Sequence, residues 1–209
     1  MKHIKNIIFD LGGVIINLDQ QLTIYEFNAL SDLPFESFYN SSSQSGLFDE
    51  LDKGTISTEA FFEILKKEIR YTGETELLIK AWNAMLLDVP EHRLDVLVNA
   101  KQQYSTFLLS NTCEPHIASF EEQLYLDHGV KNFEDYFDKV YYSCRMGMRK
   151  PEKEIFETVL KQNQLLPEET VFIDDSEQHV KGAGACGINA YLLPKGMEVG
   201  ELLKDLKLL

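Results

Sequence analysis

Apolar and polar positions fall into two regimes along the 209 residues. At the start, and again after Pro90, short apolar runs end abruptly in polar residues. Ile7-Ile8-Phe9 stops at Asp10, Ser105 to Leu109 stops at Ser110-Asn111-Thr112, and Val171-Phe172-Ile173 stops at Asp174-Asp175. Two further runs cover 140–143 and 188–193. Short unbroken apolar runs are those of strands buried on both faces. Between them, 93–103, 151–162 and 178–185 read as helices, with Pro151 in a first turn and Gly187 after a last one. Strands alternating with helices predict an α/β core, a parallel sheet covered on both faces.

From about Gln20 to Asp88 the pattern is helical throughout. Leu22, Tyr25, Phe27 and Leu30 lie near helical spacing, Pro34 begins another segment, and Ser41 to Gly46 reads as a loop. Gly54 to Glu59 is a turn into a helix that Ser57 caps, with Phe61, Phe62, Ile64 and Leu65 on its buried side. Leu77, Leu78, Ala81, Trp82 and Met85 form another apolar stripe, expected to pack in a core. The expected layout is a core of residues 1–18 and 90–209 with a helical cap of residues 19–89. The insert leaves just after Asp10, so it is expected to lie over that residue as a lid.

Composition narrows the function. A 44% hydrophobic content is that of a folded globular chain. Twenty basic against 34 acidic side chains leave a formal charge of −14. That excess argues against nucleic acid and against an anionic membrane surface, both of which need clustered Lys and Arg. A phosphorylated substrate would need local positive charge, met by a metal and one lysine. Cys113, Cys144 and Cys186 are widely spaced, without CxxC, as expected of reduced thiols. With no apolar leader and no bilayer-length run, a cytoplasmic location is expected.

The chemistry gathers where the strands end. Parallel neighbours bring Asp10, Ser110-Asn111 and Asp174-Asp175 to one sheet edge, together with the Gly147-Met148-Arg149-Lys150-Pro151 segment. Three carboxylates so placed repel one another unless a cation sits between them, and hard oxygen ligands point to Mg²⁺. Gly12 and Gly13 let the backbone turn sharply beside Asp10. Singly, each residue has a plainer reading: Ser110 or Asp174 as a helix cap, Lys150 as a solvated side chain. The histidines His3, His92, His116, His128 and His179 form no HxxxH or HExxH pair and read as surface or packing residues.

Four motifs in this order, Phe9-Asp10-Leu11-Gly12-Gly13-Val14-Ile15, Leu109-Ser110-Asn111-Thr112, Gly147-Met148-Arg149-Lys150-Pro151 and Phe172-Ile173-Asp174-Asp175, resemble those of the haloacid dehalogenase superfamily. They are most similar to the branch of α-D-glucose-1-phosphate phosphatases and the N-terminal phosphatase domain of soluble epoxide hydrolase. The resemblance implies a Rossmann-like core with a helical cap inserted after the first strand. It also implies a Mg²⁺-dependent phosphatase acting on a small phosphorylated metabolite, a sugar phosphate first among the candidates. Asp10 would be the nucleophile, forming an aspartyl phosphate. Asp10, the Gly12 carbonyl, Asp175 and Asp174 (directly or through water) would hold the metal. Ser110, the Asn111 N–H and Lys150 would bind the phosphoryl group, Lys150 also acting on Asp10.

The sequence departs from the usual phosphatase pattern at Gly12. Most superfamily phosphatases carry a second Asp there, which protonates the leaving alcohol. General acid–base help is worth about 10²–10⁴ in rate. Asp19 is a candidate substitute acid. The departure admits a rival, a metal-independent 2-haloacid dehalogenase, against which the retained Asp174-Asp175 pair speaks. A weakly active member that binds a phosphorylated metabolite or a protein is a third alternative. Phe48, Glu50, Trp82 and Asn83 are candidates for the cap residues that set specificity.

Overall fold

The computed structural model describes residues 4–31, 35 and 46–209. Five strands, β1 (Asn6–Phe9), β2 (Ser105–Ser110), β3 (Lys139–Tyr142), β4 (Thr170–Asp174) and β5 (Asn189–Leu192), form one sheet. They run parallel in the order β3-β2-β1-β4-β5. The chain adds strands in one direction from β1 to β3, then returns to the other side for β4 and β5. The reversal falls between β1 and β4. In open α/β sheets, ligands bind beyond the carboxyl ends of the strands at that switch point. Asp10 and Asp174 stand there, the Asp10 N–H bonding to the Ile173 carbonyl at 2.9 Å.

The central strands are apolar on both sides because both sides are covered. Ile7 and Phe9 join a cluster that includes Leu97, Ile117, Phe120 and Leu203, from α5 (Glu91–Lys101), α6 (Glu114–His128) and α10 (Val199–Asp205). Ile8 faces the opposite cluster with Phe172, Phe156 and Ala183, the last two from α8 (Lys153–Gln162) and α9 (Glu177–Ala185). A short helix, α7 (Ser143–Met146), follows β3. The 15-residue α6 and the seven-residue α10 are not among the helices expected from the pattern.

The insert between β1 and α5 is helical, as expected: α1 (Gln20–Leu30), α2 (Gly46–Asp52), α3 (Thr58–Glu68) and α4 (Thr75–Asn83). The segment beginning at Pro34 and the loop from Ser41 fall outside the described residues. Ser57 caps α3, its Oγ accepting from the Ala60 N–H at 3.2 Å. These helices share an apolar cluster built from Phe27, Phe35, Phe48, Phe61, Phe62, Leu78 and Trp82. The inward face of α1 differs from the expected stripe. Leu22 and Tyr25 are exposed, whereas Thr23, Ile24 and Phe27 are buried. The Thr23 hydroxyl donates to the Trp82 carbonyl and accepts from the Met85 N–H, each at 3.1 Å, so a polar residue turns inward there. Two chain segments connect insert and core. They pair through Asn17 with Asp88 and Leu87, and through Asp19 N–H with the Met85 carbonyl.

Trp82 joins the insert to α6. Its ring stacks on His116 at 5.3 Å between centroids, and its Nε1–H donates to Cys113 Sγ at 3.3 Å. Burial pushes the His116 imidazole down to about 4 from its ordinary 6.5. Between those values the unfolded chain takes up a proton that the folded chain refuses, so stability falls as pH drops. From pH 7 to pH 5 the wild type is expected to lose about 2 kcal/mol more than His116→Phe, which keeps the stack without the titration. Thermal unfolding of both proteins at the two pH values checks this. Equal losses would refute it.

Candidate active site

The ends of β1, β2 and β4 deliver Asp10, Ser110 and Asp174, and the turn beyond α7 delivers Lys150. Lys150 is fully buried, and its ammonium group lies between two carboxylates, 2.7 Å from Asp10 Oδ1 and 2.7 Å from Asp174 Oδ2. A lysine with no exposure survives as a cation only with such partners. Burial works against its charge, yet Asp10 and Asp174 outweigh it and hold the Lys150 pKa above its ordinary value. Burial, followed by the neighbouring Asp174, pushes Asp10 up to about 8, with Lys150 pulling the other way. Asp174 goes the opposite way. Burial opposes its charge, but Lys150 and His179 hold its carboxyl low. Burial and Asp174 raise Asp175.

Asp10, Asp174 and Asp175 present oxygens within 4.8 Å of one another. Three hard, negatively charged donors at that spacing fit a divalent cation such as magnesium. Their duties differ. Asp174 Oδ1 accepts from the Ser176 N–H at 2.8 Å and lies 3.0 Å from His179 Nδ1, while its Oδ2 meets Lys150. Asp175 is exposed and sits against Gly13.

Gly13 has φ +71°, and a β-carbon there would collide with the Asp175 carboxylate. Glycine is required both for the left-handed backbone and for the close approach. Gly13→Ala is expected to cost about 1–2 kcal/mol in stability and to displace Asp175. It should raise the Mg²⁺ concentration needed for half-maximal turnover at least about tenfold. A magnesium titration beside a thermal melt checks both effects, and unchanged magnesium demand would remove Asp175 from the metal site.

Ser110 is 3% exposed at the end of β2, with Asn111 following it. Ser143 fixes this turn by accepting from the Thr112 N–H at 2.9 Å and donating to its carbonyl at 3.1 Å. The Asn111 side chain is engaged with the Lys150 backbone, leaving its own backbone N–H as the group expected at a phosphate. At Gly12 a β-carbon would come within 2.6 Å of Leu18 Cδ1, so Leu18 fills the place of a second carboxylate. Asp19, the candidate substitute acid, is exposed and caps α1, its Oδ1 accepting from the Gln21 N–H at 3.0 Å. Phe48 and Trp82 belong to the core of the insert rather than to a substrate wall, and Glu50 is exposed. Asn83 Oδ1 is buried without a hydrogen-bond partner among the described residues.

His179 corrects the reading of the histidines as surface or packing groups. It stands in the first turn of α9 and holds Asp174, and its Nε2 is buried without a partner among the described residues. Only its place just after the Asp174-Asp175 pair signals this in the sequence.

A carboxylate pair, a buried lysine and an aspartate at the end of the first strand, set at the switch point of a parallel sheet, point to a class of hydrolase. The chain matches the haloacid dehalogenase-like hydrolases over residues 7–193 and belongs to that family. It is 30% identical over 195 residues to D-ribitol-5-phosphate phosphatase of Bacteroides thetaiotaomicron, with 93% of this chain and 94% of that protein covered. The magnesium complex of a HAD family enzyme from the same organism matches with a TM-score of 0.88 at 34% identity, covering 97% of this chain and 100% of that one. That enzyme was also crystallised with magnesium and inorganic phosphate together. Sesquiterpene phosphatase astK of Aspergillus oryzae is 26% identical over 191 residues, covering 88% of this chain and 87% of its own. Among the described residues no helix is long and apolar enough to cross a membrane.

Proposed function

We propose that this chain is a magnesium-dependent phosphomonoesterase that hydrolyses a small sugar or sugar-alcohol phosphate through an aspartyl phosphate on Asp10. The observation that carries the reading is the buried Lys150 ammonium held between Asp10 and Asp174, beside the third carboxylate of Asp175. The relatives named phosphatases support it. Residues 1–18 and 90–209 make the catalytic core in this reading, and residues 19–89 make the cap that selects the substrate.

Asp10 attacks phosphorus, a bond forms from its carboxylate oxygen, and the ester oxygen leaves with the electron pair of the broken P–O bond. Water then attacks the same phosphorus and loses its proton to solvent, while the bond between phosphorus and the Asp10 oxygen breaks to return the free carboxylate. Lys150 lowers the cost of ionising Asp10, and its ammonium group would face the phosphoryl oxygens, which Ser110 and the Asn111 N–H would also hold. Asp10, the Gly12 carbonyl and Asp175, with Asp174 behind them, would hold magnesium, whose positive charge would offset the negative charge of the phosphoryl group. Gly12 offers no proton to the leaving oxygen, so that oxygen takes its proton from solvent or from the substrate's own hydroxyls. Such a site favours good leaving groups.

The test is phosphate release from a panel of sugar phosphates, sugar-alcohol phosphates and an aryl phosphate, with Mg²⁺ and with EDTA. Release that needs the metal is expected. Absence of release from every substrate would overturn the reading. The missing acid at Gly12 favours the dehalogenase alternative, so halide release from 2-haloacids without metal is the accompanying assay.

A further inference from the structure

The turn that carries Lys150 is held from two sides. On the core side, Asn111 Oδ1 accepts from the Lys150 backbone N–H and Asn111 Nδ2 donates to the Lys150 carbonyl, each at 2.9 Å. On the other side the insert is attached. Arg149, with its side chain 15% exposed, pairs with Asp49 and, at 3.4 Å, with Asp52. Both acids lie on α2. Lys53, just after that helix, pairs with Glu152. Gly54 lies so close to the Cys144 carbonyl that a β-carbon would collide with it. At the other flank of α2, Phe48 stacks on Trp82 at 5.4 Å, and Trp82 in turn stacks on His116 of α6. Ion pairs beside the active site and an aromatic stack away from it therefore seat the same helix.

We propose that Arg149 is a positioning residue whose pairing with Asp49 and Asp52 couples the seating of α2 to the placement of Lys150. The proposal rests on the phosphatase reading only for what Lys150 does there. Two carboxylates on one short helix repel each other, and burial makes the charge on Asp52 costlier still. A planar guanidinium engages two carboxylates at once, which an ammonium group does poorly. Once engaged, it ties the chain at residue 149 to the insert. The residue that follows must hold its ammonium group 2.7 Å from two different carboxylates. When α2 lifts, Arg149 is released and Lys150 loses one of its two anchors. Turnover then requires the insert to be seated, as is common where a lid commits the substrate.

Asp49→Asn/Asp52→Asn, Arg149→Met and the triple variant test the coupling with the full chain, Mg²⁺ and the best substrate of the panel. Trp82 is the only tryptophan, so its emission reports whether the insert still packs on α6. With emission unchanged, kcat is expected to fall about ten- to a hundredfold while KM stays within about threefold. The triple variant should be no worse than Arg149→Met alone, because the three groups act as one. A second readout needs no activity. Acetic anhydride labelling of Lys150, followed by mass spectrometry, should run about tenfold faster in the variants as local opening becomes easier.

Undiminished kcat and undiminished protection of Lys150 in the isosteric Asn pair would overturn the proposal, as would additive losses in the triple variant. The Asn pair carries the test if Arg149→Met fails to fold. Phosphate release by the wild type tests the reaction itself, whereas the labelling ratio tests the coupling, so the two failures are distinguishable.

Discussion

Asp10→Asn is expected to lower phosphate release by on the order of 10⁴-fold or more, and to leave the protein at least as stable in EDTA. The carboxamide cannot form the bond to phosphorus, and no second carboxylate follows at Gly12 to take its place. The stability half follows from burial. Asp10 is 7% exposed, beside Asp174, and carries a pKa raised from 3.8 to about 8. A folded value above the unfolded one means that folding favours the protonated acid. Stability is therefore lost as pH rises from about 4 through 8, and at pH 7.5 folding must protonate a carboxyl that is ionised in the unfolded chain, which costs free energy. The neutral amide removes that cost while Lys150 keeps Asp174. A rise of a few degrees in the EDTA melting temperature is expected, at about 2–4 °C per kcal/mol for a chain of this size. Retained turnover in Asp10→Asn would sink the mechanism. A lower melting temperature would show that Asp10 stabilises the fold instead of burdening it.

How much of this was legible in the residues depended on whether the signal was local. Ile7-Ile8-Phe9 and Val171-Phe172-Ile173 announce buried strands because each run has water on neither side and stops at a carboxylate. Order along the chain then brought Asp10, Ser110, Lys150 and Asp174-Asp175 to one edge, where the structure also has them. What escaped was set by distant partners. Arg149 and Asp49 lie 100 residues apart, and no periodicity links them. Lys150 taken singly looks solvated, and only two converging strands make it fully buried. His179 acts through a ring nitrogen aimed back at Asp174, a matter of helix phase after β4. Leu22 and Tyr25 misled because hydrophobicity marked them as inward, while the inward place on α1 went to Thr23 for its hydrogen bonds. In α6, Ile117, Phe120 and Leu124 face the sheet among many charged and polar neighbours, so its stripe is thin.

Lys150→Met is expected to cost both activity and stability, unlike Asp10→Asn. Methionine fills a similar volume but leaves Asp10 and Asp174 buried and facing each other with no cation between them. Breaking a buried ion pair from one side costs about 3–5 kcal/mol, because the partner charges are left uncompensated. The melting temperature in EDTA should therefore fall by about 10 °C. Turnover should fall at least about 10²–10³-fold from the loss of a donor aimed at the phosphoryl group. The pH dependence identifies the cause. Without Lys150 the two carboxylates compete for one proton, which moves Asp10 further upward. The stability gap to wild type should then narrow as pH falls through about 8 from the alkaline side, where Asp10 takes up its proton in the variant before it does so in the wild type and the repulsion is relieved. Magnesium should narrow it too by binding the folded state. A gap independent of both pH and magnesium would mean that Lys150 contributes mainly by packing against Phe172, whose ring centroid lies 5.4 Å from its Nζ.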